Sequence, residues 1–184
     1  MGIKQTLDVI NEMEKHGVIG RYAIGGAVAA YNYIEPAVTE DLDILISFEG
    51  KSPSKLISLD PILAYLKARG YSTFSKEGIS IEGWPVQFLP VSDALDVEAL
   101  AAADKIDVRT NGGKAKARVL KPEHLVALAL RLGRPKDLVR IAQFLQERAV
   151  PLAKLKALLE RHKLEGKWRA FCAKTRIRDP LAAK

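Results

Sequence analysis

Residues 23–48 read AIGGAVAAYNYIEPAVTEDLDILISF, from Ala23 to Phe48. Leu42, Ile44, Leu45 and Ile46 make the apolar run of a buried strand, interrupted by Asp43 and preceded by Asp41. Aspartate is depleted in strands, and an ionised carboxylate in apolar surroundings is costly unless it is paired or holds a metal. Asp41 and Asp43 stand at i and i+2, so an extended backbone points both to one face. Two carboxylates so placed suit a hard cation that takes oxygen ligands. Upstream, Gly25-Gly26 follows a short apolar strand and opens a helix-like segment. Glycine there permits φ > 0 and close approach of a ligand to the backbone, and a helix opening favours an anion. A phosphate cradle followed by a carboxylate pair is the pattern of metal-assisted phosphoryl or nucleotidyl transfer.

Outward from this stretch, the chain alternates strands and helices up to about residue 120. A helix is expected over 4–16, with Leu7, Ile10 and Met13 or Val9 on one face and Gly17 as its stop. Residues 21–24 form the first strand, 27–34 a short helix closed by Pro36, and 42–48 the second strand. Residues 49–58 read as a loop. Asp60 is expected to cap a helix with Pro61 at its first position. Short strands follow at 71–75, 79–82 and 84–89, with Glu82-Gly83 as a hairpin turn. Asp93 caps a helix to Ala103 that carries Leu95, Val97 and Leu100. Strands at 107–110 and 114–120 flank Asn111-Gly112-Gly113, a hairpin signal. From Pro122 onward the texture is helical. Leu125, Leu128 and Leu132 mark one helix and Leu138, Ile141 and Leu145 a second. Leu152, Leu155, Leu158 and Leu159 mark a third, and Trp168 and Phe171 a last. The expected class is α/β with a mixed, mainly antiparallel sheet flanked by helices (residues 1–120), followed by an all-helical C-terminal subdomain (residues 121–184). No internal repeat is evident.

The 184 residues are 48% hydrophobic, enough for an ordinary core, and no apolar run has the length of a membrane span. A single cysteine, Cys172, excludes an internal disulfide and a thiolate-cluster metal site. His16, His124 and His162 are scattered without ligand spacing, and no Ser/His/Asp order, Walker-type loop or zinc motif is present. These features predict a cytoplasmic protein with no membrane partner. The net charge is +7, and from Pro151 onward ten Lys/Arg face three Asp/Glu, which is the whole excess. A basic segment of this kind fits a polyanion such as RNA, or simply a solvated helical face.

Gly25-Gly26, a spacer, and Thr39-Glu40-Asp41-Leu42-Asp43 resemble the signature of the DNA polymerase β-like nucleotidyltransferase superfamily. The likeness is to its abortive-infection and toxin–antitoxin type, in which a threonine precedes the Asp-x-Asp pair. An arginine often stands two residues before that threonine; this chain has Ala37. The resemblance implies that Asp41 and Asp43 are catalytic and hold Mg²⁺ (or Mn²⁺). Gly25, Gly26 and Thr39 would contact the nucleotide. The stretch Arg131 to Asp137 resembles the Arg/Lys-Asp motif of the toxin-type enzymes, which implies Arg134 and Lys136 as cationic contacts to the β- and γ-phosphates, with Asp137 capping the helix and orienting Lys136. A third carboxylate, usual on a neighbouring strand, falls at Gln87; Glu82 and Asp93 are the acids that could replace it. The implied activity moves a nucleoside monophosphate from an NTP to a hydroxyl of RNA, a protein or a small molecule. The alternative is a catalytically silent nucleotide- or partner-binding relative. An antitoxin-like cognate partner belongs to the same implication.

Overall fold

The computed structural model describes residues 2–36, 39, 41–48, 58–75, 78–110 and 113–182. Ala37, Glu40, the expected loop up to residue 57 and the Asn111-Gly112 half of the expected turn lie outside the described residues. The chain divides into two compact units: residues 1–29 with 37–120, and residues 30–36 with 121–184.

The first unit holds α1 (Ile3–Lys15), β1 (Tyr22–Ile24), most of α2 (Gly26–Ala30), β2 (Leu42–Ile46), α3 (Asp60–Lys67), β3 (Phe74–Ser75), β4 (Gly78–Ile81), β5 (Trp84–Pro90), α4 (Ala94–Ala102), β6 (Asp104–Thr110) and β7 (Gly113–Val119). Its sheet runs β3-β4-β5-β2-β1-β7-β6, with β2 central. Strand β2 is antiparallel to β1 and parallel to β5. Strand β1 is parallel to β7, and the remaining three pairs are antiparallel, so the sheet is mixed and mainly antiparallel. The register sorts side chains by parity. Leu42, Ile44 and Ile46 share a face with Tyr22, Ile24, Val86 and Phe88, and all seven are buried. The opposite face carries Asp43 and Leu45 with Ala23, Gln87 and Leu89.

Helix α1 is fastened across the sheet. The Thr6 hydroxyl donates to the Ile81 carbonyl at 2.9 Å, and Asn11 Nδ2 to the Lys116 carbonyl at 3.0 Å. Arg118 pairs with Glu14 at 2.6 Å. These anchors lie on β4 and β7, so α1 passes over the strands between them. Its buried face is Thr6, Leu7, Ile10 and Met13; Val9 is half-buried instead.

Several local expectations shift. The second helix ends at Ala30 rather than at residue 34 and continues as turns. Asp60 is the first residue of α3 and not its cap; its N–H is accepted by the Ser58 hydroxyl at 3.0 Å. The Glu82-Gly83 turn has φ of 51° and 85°, the pair of positive angles that a tight hairpin requires. Asp93 does cap α4, accepting the Asp96 N–H at 2.9 Å, while Val97 faces solvent.

The second unit contains α5 (Pro122–Leu132), α6 (Pro135–Gln146), α7 (Leu152–Arg161) and α8 (Glu165–Thr175). Its core includes Leu125, Val126, Leu130, Ile141, Phe144, Leu155, Leu158, Leu159, Trp168 and Phe171. Leu132, expected on the apolar face of α5, is exposed. Residues 30–36 join this unit through Glu35: Gln143 donates to its carbonyl at 3.0 Å, and its N–H reaches Glu147 at 2.9 Å. Among the described residues no helix is long and apolar enough to cross a membrane.

Candidate active site

Asp43 sits in the middle of the sheet, opposite the Gly-Gly bend. The Gly25 N–H donates to the Asp43 carbonyl at 2.8 Å, extending the β1–β2 ladder by one residue. The Gly25 carbonyl accepts the Ala29 N–H at 3.1 Å, so both backbone groups of Gly25 are used in the scaffold. The chain then turns at Gly26, whose φ of +56° lies in the left-handed region. A Cβ placed on Gly26 would overlap Asp43 Oδ2 and stand 2.8 Å from Asp43 Cγ. The Asp43 carboxylate therefore occupies the space a Gly26 side chain would take. At Gly25 an added Cβ would meet Leu120 Cδ1 at an ordinary 3.5 Å. The two glycines thus do different jobs: Gly25 is a sheet residue, and Gly26 makes room for the carboxylate.

Asp41 precedes the first residue of β2 and is half-buried, as is Asp43. The Thr39 hydroxyl donates to Asp41 Oδ1 at 2.9 Å. Thr39 therefore orients a carboxylate oxygen, and its proton is directed at Asp41 rather than outward.

Gln87 is the register partner of Asp43 on β5, so the two side chains stand on one face of adjacent strands. Neither acid considered as a replacement is placed there. Glu82 lies in the β4–β5 turn and accepts the Tyr71 hydroxyl at 2.5 Å. That hydrogen bond, with burial, pushes the Tyr71 pKa up to about 12. Asp93 lies beyond the end of β5, where its carboxylate caps α4. Among the described residues no group of three or more His, Cys, Asp or Glu is arranged to hold a metal.

Arg134 and Lys136 belong to the second unit. The Arg134 guanidinium grips Asp137 through Nε at 2.7 Å and Nη2 at 3.1 Å, and the Arg134 N–H reaches the same carboxylate at 3.2 Å. Asp137 is 1% exposed and Arg134 48%. The buried carboxylate thus fixes Arg134, not Lys136, through a bidentate charge-assisted pair. This is half of a capping box, since a guanidinium has no lone pair to return the bond. Lys136 is exposed, and among the described residues it forms no ion pair. Sequence reasoning named both cations; the burial of Asp137 and its grip on Arg134 were not anticipated, although Arg134 and Asp137 stand three apart, at the spacing of an N-cap and its N3 residue.

Asp43 on β2 and Gln87 on β5 are oxygen-bearing side chains on one face of adjacent strands, and Asp41 is a second carboxylate just before β2; carboxylate and amide oxygens are the donors a hard divalent cation takes. The carboxylate seat carved by Gly26 holds one of these oxygens in a fixed position.

No family model matches the chain, and no curated protein matches it. The chain is similar in fold to an antigenic nucleotidyltransferase-like protein from Paracoccidioides brasiliensis, with a TM-score of 0.58 and 18% sequence identity. That similarity covers 93% of this chain and 87% of the other. It is also aligned with a nucleotidyltransferase candidate from Thermotoga maritima, over 80% of this chain and 96% of that one, at 17% identity and a TM-score of 0.38, too low to bear on the reading. The chain has a nucleotidyltransferase-like α/β fold.

Proposed function

We propose that this protein is a metal-dependent nucleotidyltransferase of the abortive-infection and toxin-like type. It moves a nucleoside monophosphate from an NTP to a hydroxyl acceptor. The observation that carries this reading is the seating of Asp43 against Gly26, with Asp41 two residues before it and held by Thr39. Asp43 is the one charged residue of β2, whose other members are Leu42, Ile44, Leu45 and Ile46, and it is seated where Gly26 leaves room for it. Asp41 and Asp43 would hold Mg²⁺ or Mn²⁺. When bound, such an ion supplies charge neutralisation at the phosphates and acidifies the attacking hydroxyl. The chain's own residues position: the strand fixes two carboxylate oxygens, and Thr39 sets the orientation of one. Among the described residues no group accepts the Gly26 N–H, so it is available to a phosphate oxygen.

Gln87 beside Asp43 favours a second reading, a nucleotide-binding relative that no longer transfers. One assay divides them. The purified protein is incubated with Mg²⁺, cell extract and each of the four NTPs labelled at the α-phosphate. Label joined covalently to RNA, protein or a small molecule is the expected result. Binding of NTP with no label transferred from any of the four overturns the enzyme reading in favour of the second.

A further inference from the structure

Two consecutive helical stretches of the second unit share a spacing of basic and apolar positions. Residues 152–164, LAKLKALLERHKL, align without a gap on residues 165–177, EGKWRAFCAKTRI. Lys154 falls on Lys167, Lys156 on Arg169, Arg161 on Lys174 and Lys163 on Arg176. The apolar positions match in kind, Leu155 with Trp168, Leu158 with Phe171 and Leu159 with Cys172, and all six are buried. Both helices are closed by a basic residue in the left-handed region, Lys163 at φ 56° and Arg176 at φ 57°, as α6 is by Arg148 at φ 54°. The closing bonds also correspond, Leu164 N–H to the Leu159 carbonyl at 2.8 Å and Ile177 N–H to the Cys172 carbonyl at 3.2 Å.

Glycine is the residue that takes this helix-ending conformation without strain. A long basic side chain there is held against local preference. The surrounding charge points the same way. Residues 30–36 and 121–184 carry sixteen Lys/Arg and seven Asp/Glu, a net +9, which leaves the other unit at −2. Lys154, Lys156, Lys163, Arg169, Lys174 and Arg176 are all exposed, and among the described residues none forms an ion pair.

We infer that the α7–α8 segment is a binding face for the phosphate backbone of nucleic acid. The contacts are electrostatic and independent of base sequence. An anionic membrane is the poorer fit, because a helix that enters a lipid interface needs a broad free apolar face, and Leu155, Leu158, Leu159, Trp168, Phe171 and Cys172 are buried, leaving only Leu152 exposed among the large apolar residues of α7 and α8. This binding needs neither NTP nor metal and stands apart from the transfer reading.

The test is fluorescence anisotropy of the whole protein with a labelled RNA duplex and its DNA counterpart, without NTP, from about 50 to about 200 mM salt. Binding should weaken steeply with salt, with a logarithmic slope of about −3.6 to −5.4 for about four to six neutralised phosphates. The variant Lys156→Ala, Lys163→Gly, Arg169→Ala, Arg176→Gly should bind at least about tenfold more weakly at low salt and flatten the slope by about 0.9 for each phosphate no longer neutralised. Its two glycines should raise Tm by about 2 °C or more, through relief of the left-handed strain. Should that variant fold poorly, Lys156→Ala with Arg169→Ala alone must still flatten the slope. RNA bound more tightly than DNA, or the reverse, identifies the source of the phosphates. The inference is overturned by failure to bind either duplex, by a slope the variants leave unchanged, or by preference for vesicles of anionic lipid over both duplexes. It is equally overturned if the glycines lower Tm with no effect on binding, since the basic residues would then serve only the helix dipole.

Discussion

Gly26→Ala is expected to lower nucleotidyl transfer by about 10²-fold, the scale of loss when a reacting group is misplaced by about an ångström. Gly25→Ala is expected to leave transfer within a few-fold of the parent. The contrast follows from two different surroundings. At Gly26 an added methyl would overlap the Asp43 carboxylate, and the backbone there has φ +56°. The left-handed conformation alone costs a side chain about 1–2 kcal/mol, and the forced movement of Asp43 adds about 1–3 kcal/mol of overpacking. At Gly25 the added methyl meets only Leu120 Cδ1 at 3.5 Å, with no positive φ. The check is labelled-NTP transfer beside thermal unfolding of both variants. Equal activities for the two would mean that the seat at Gly26 is ordinary turn geometry.

Asp41→Asn combined with Asp43→Asn should reduce transfer by about 10³-fold or more, since losing several kcal/mol of charge stabilisation at the phosphates corresponds to at least that factor. Stability should move the other way. Asp41 and Asp43 are half-buried like charges two residues apart, and like charges at short range repel. The amides remove that repulsion, so the metal-free Tm should hold or rise, while the gain in Tm on adding Mg²⁺ with NTP should vanish. A structural ion-pair role for these acids would show the reverse, with Tm lowered and activity little changed. Thermal scans with and without Mg²⁺, run beside the transfer assay, separate the two.

What was legible in the sequence was whatever depends on neighbours within a few residues. Asp43 stood out because it breaks a run of Leu and Ile in β2, with Asp41 two residues before it. Glu82-Gly83 announced its hairpin, and Asp93 its cap, through local backbone preferences. The contacts that build the site are long-range. Nothing near Gly26 says that a carboxylate some seventeen residues on will fill its missing side chain. Register across β2 and β5 sets Gln87 beside Asp43, and neither strand alone fixes it. Glu35 meets α6 from more than one hundred residues away, in a connection that reads locally as a simple loop. The left-handed ends of α7 and α8 were not legible either, because Lys163 and Arg176 are residues that rarely take that conformation.

The central claim is that Asp41 and Asp43 make a metal-dependent nucleotide site in front of the Gly25-Gly26 bend. Its most direct measurement is calorimetric titration of ATP, GTP, CTP and UTP into the protein, in Mg²⁺ and again in excess chelator, with folded Asp43→Asn alongside. Binding of at least one NTP in Mg²⁺, abolished both by chelation and in Asp43→Asn, is the predicted result. NTP binding indifferent to Mg²⁺ and to the substitution, or no binding of any of the four, would contradict it.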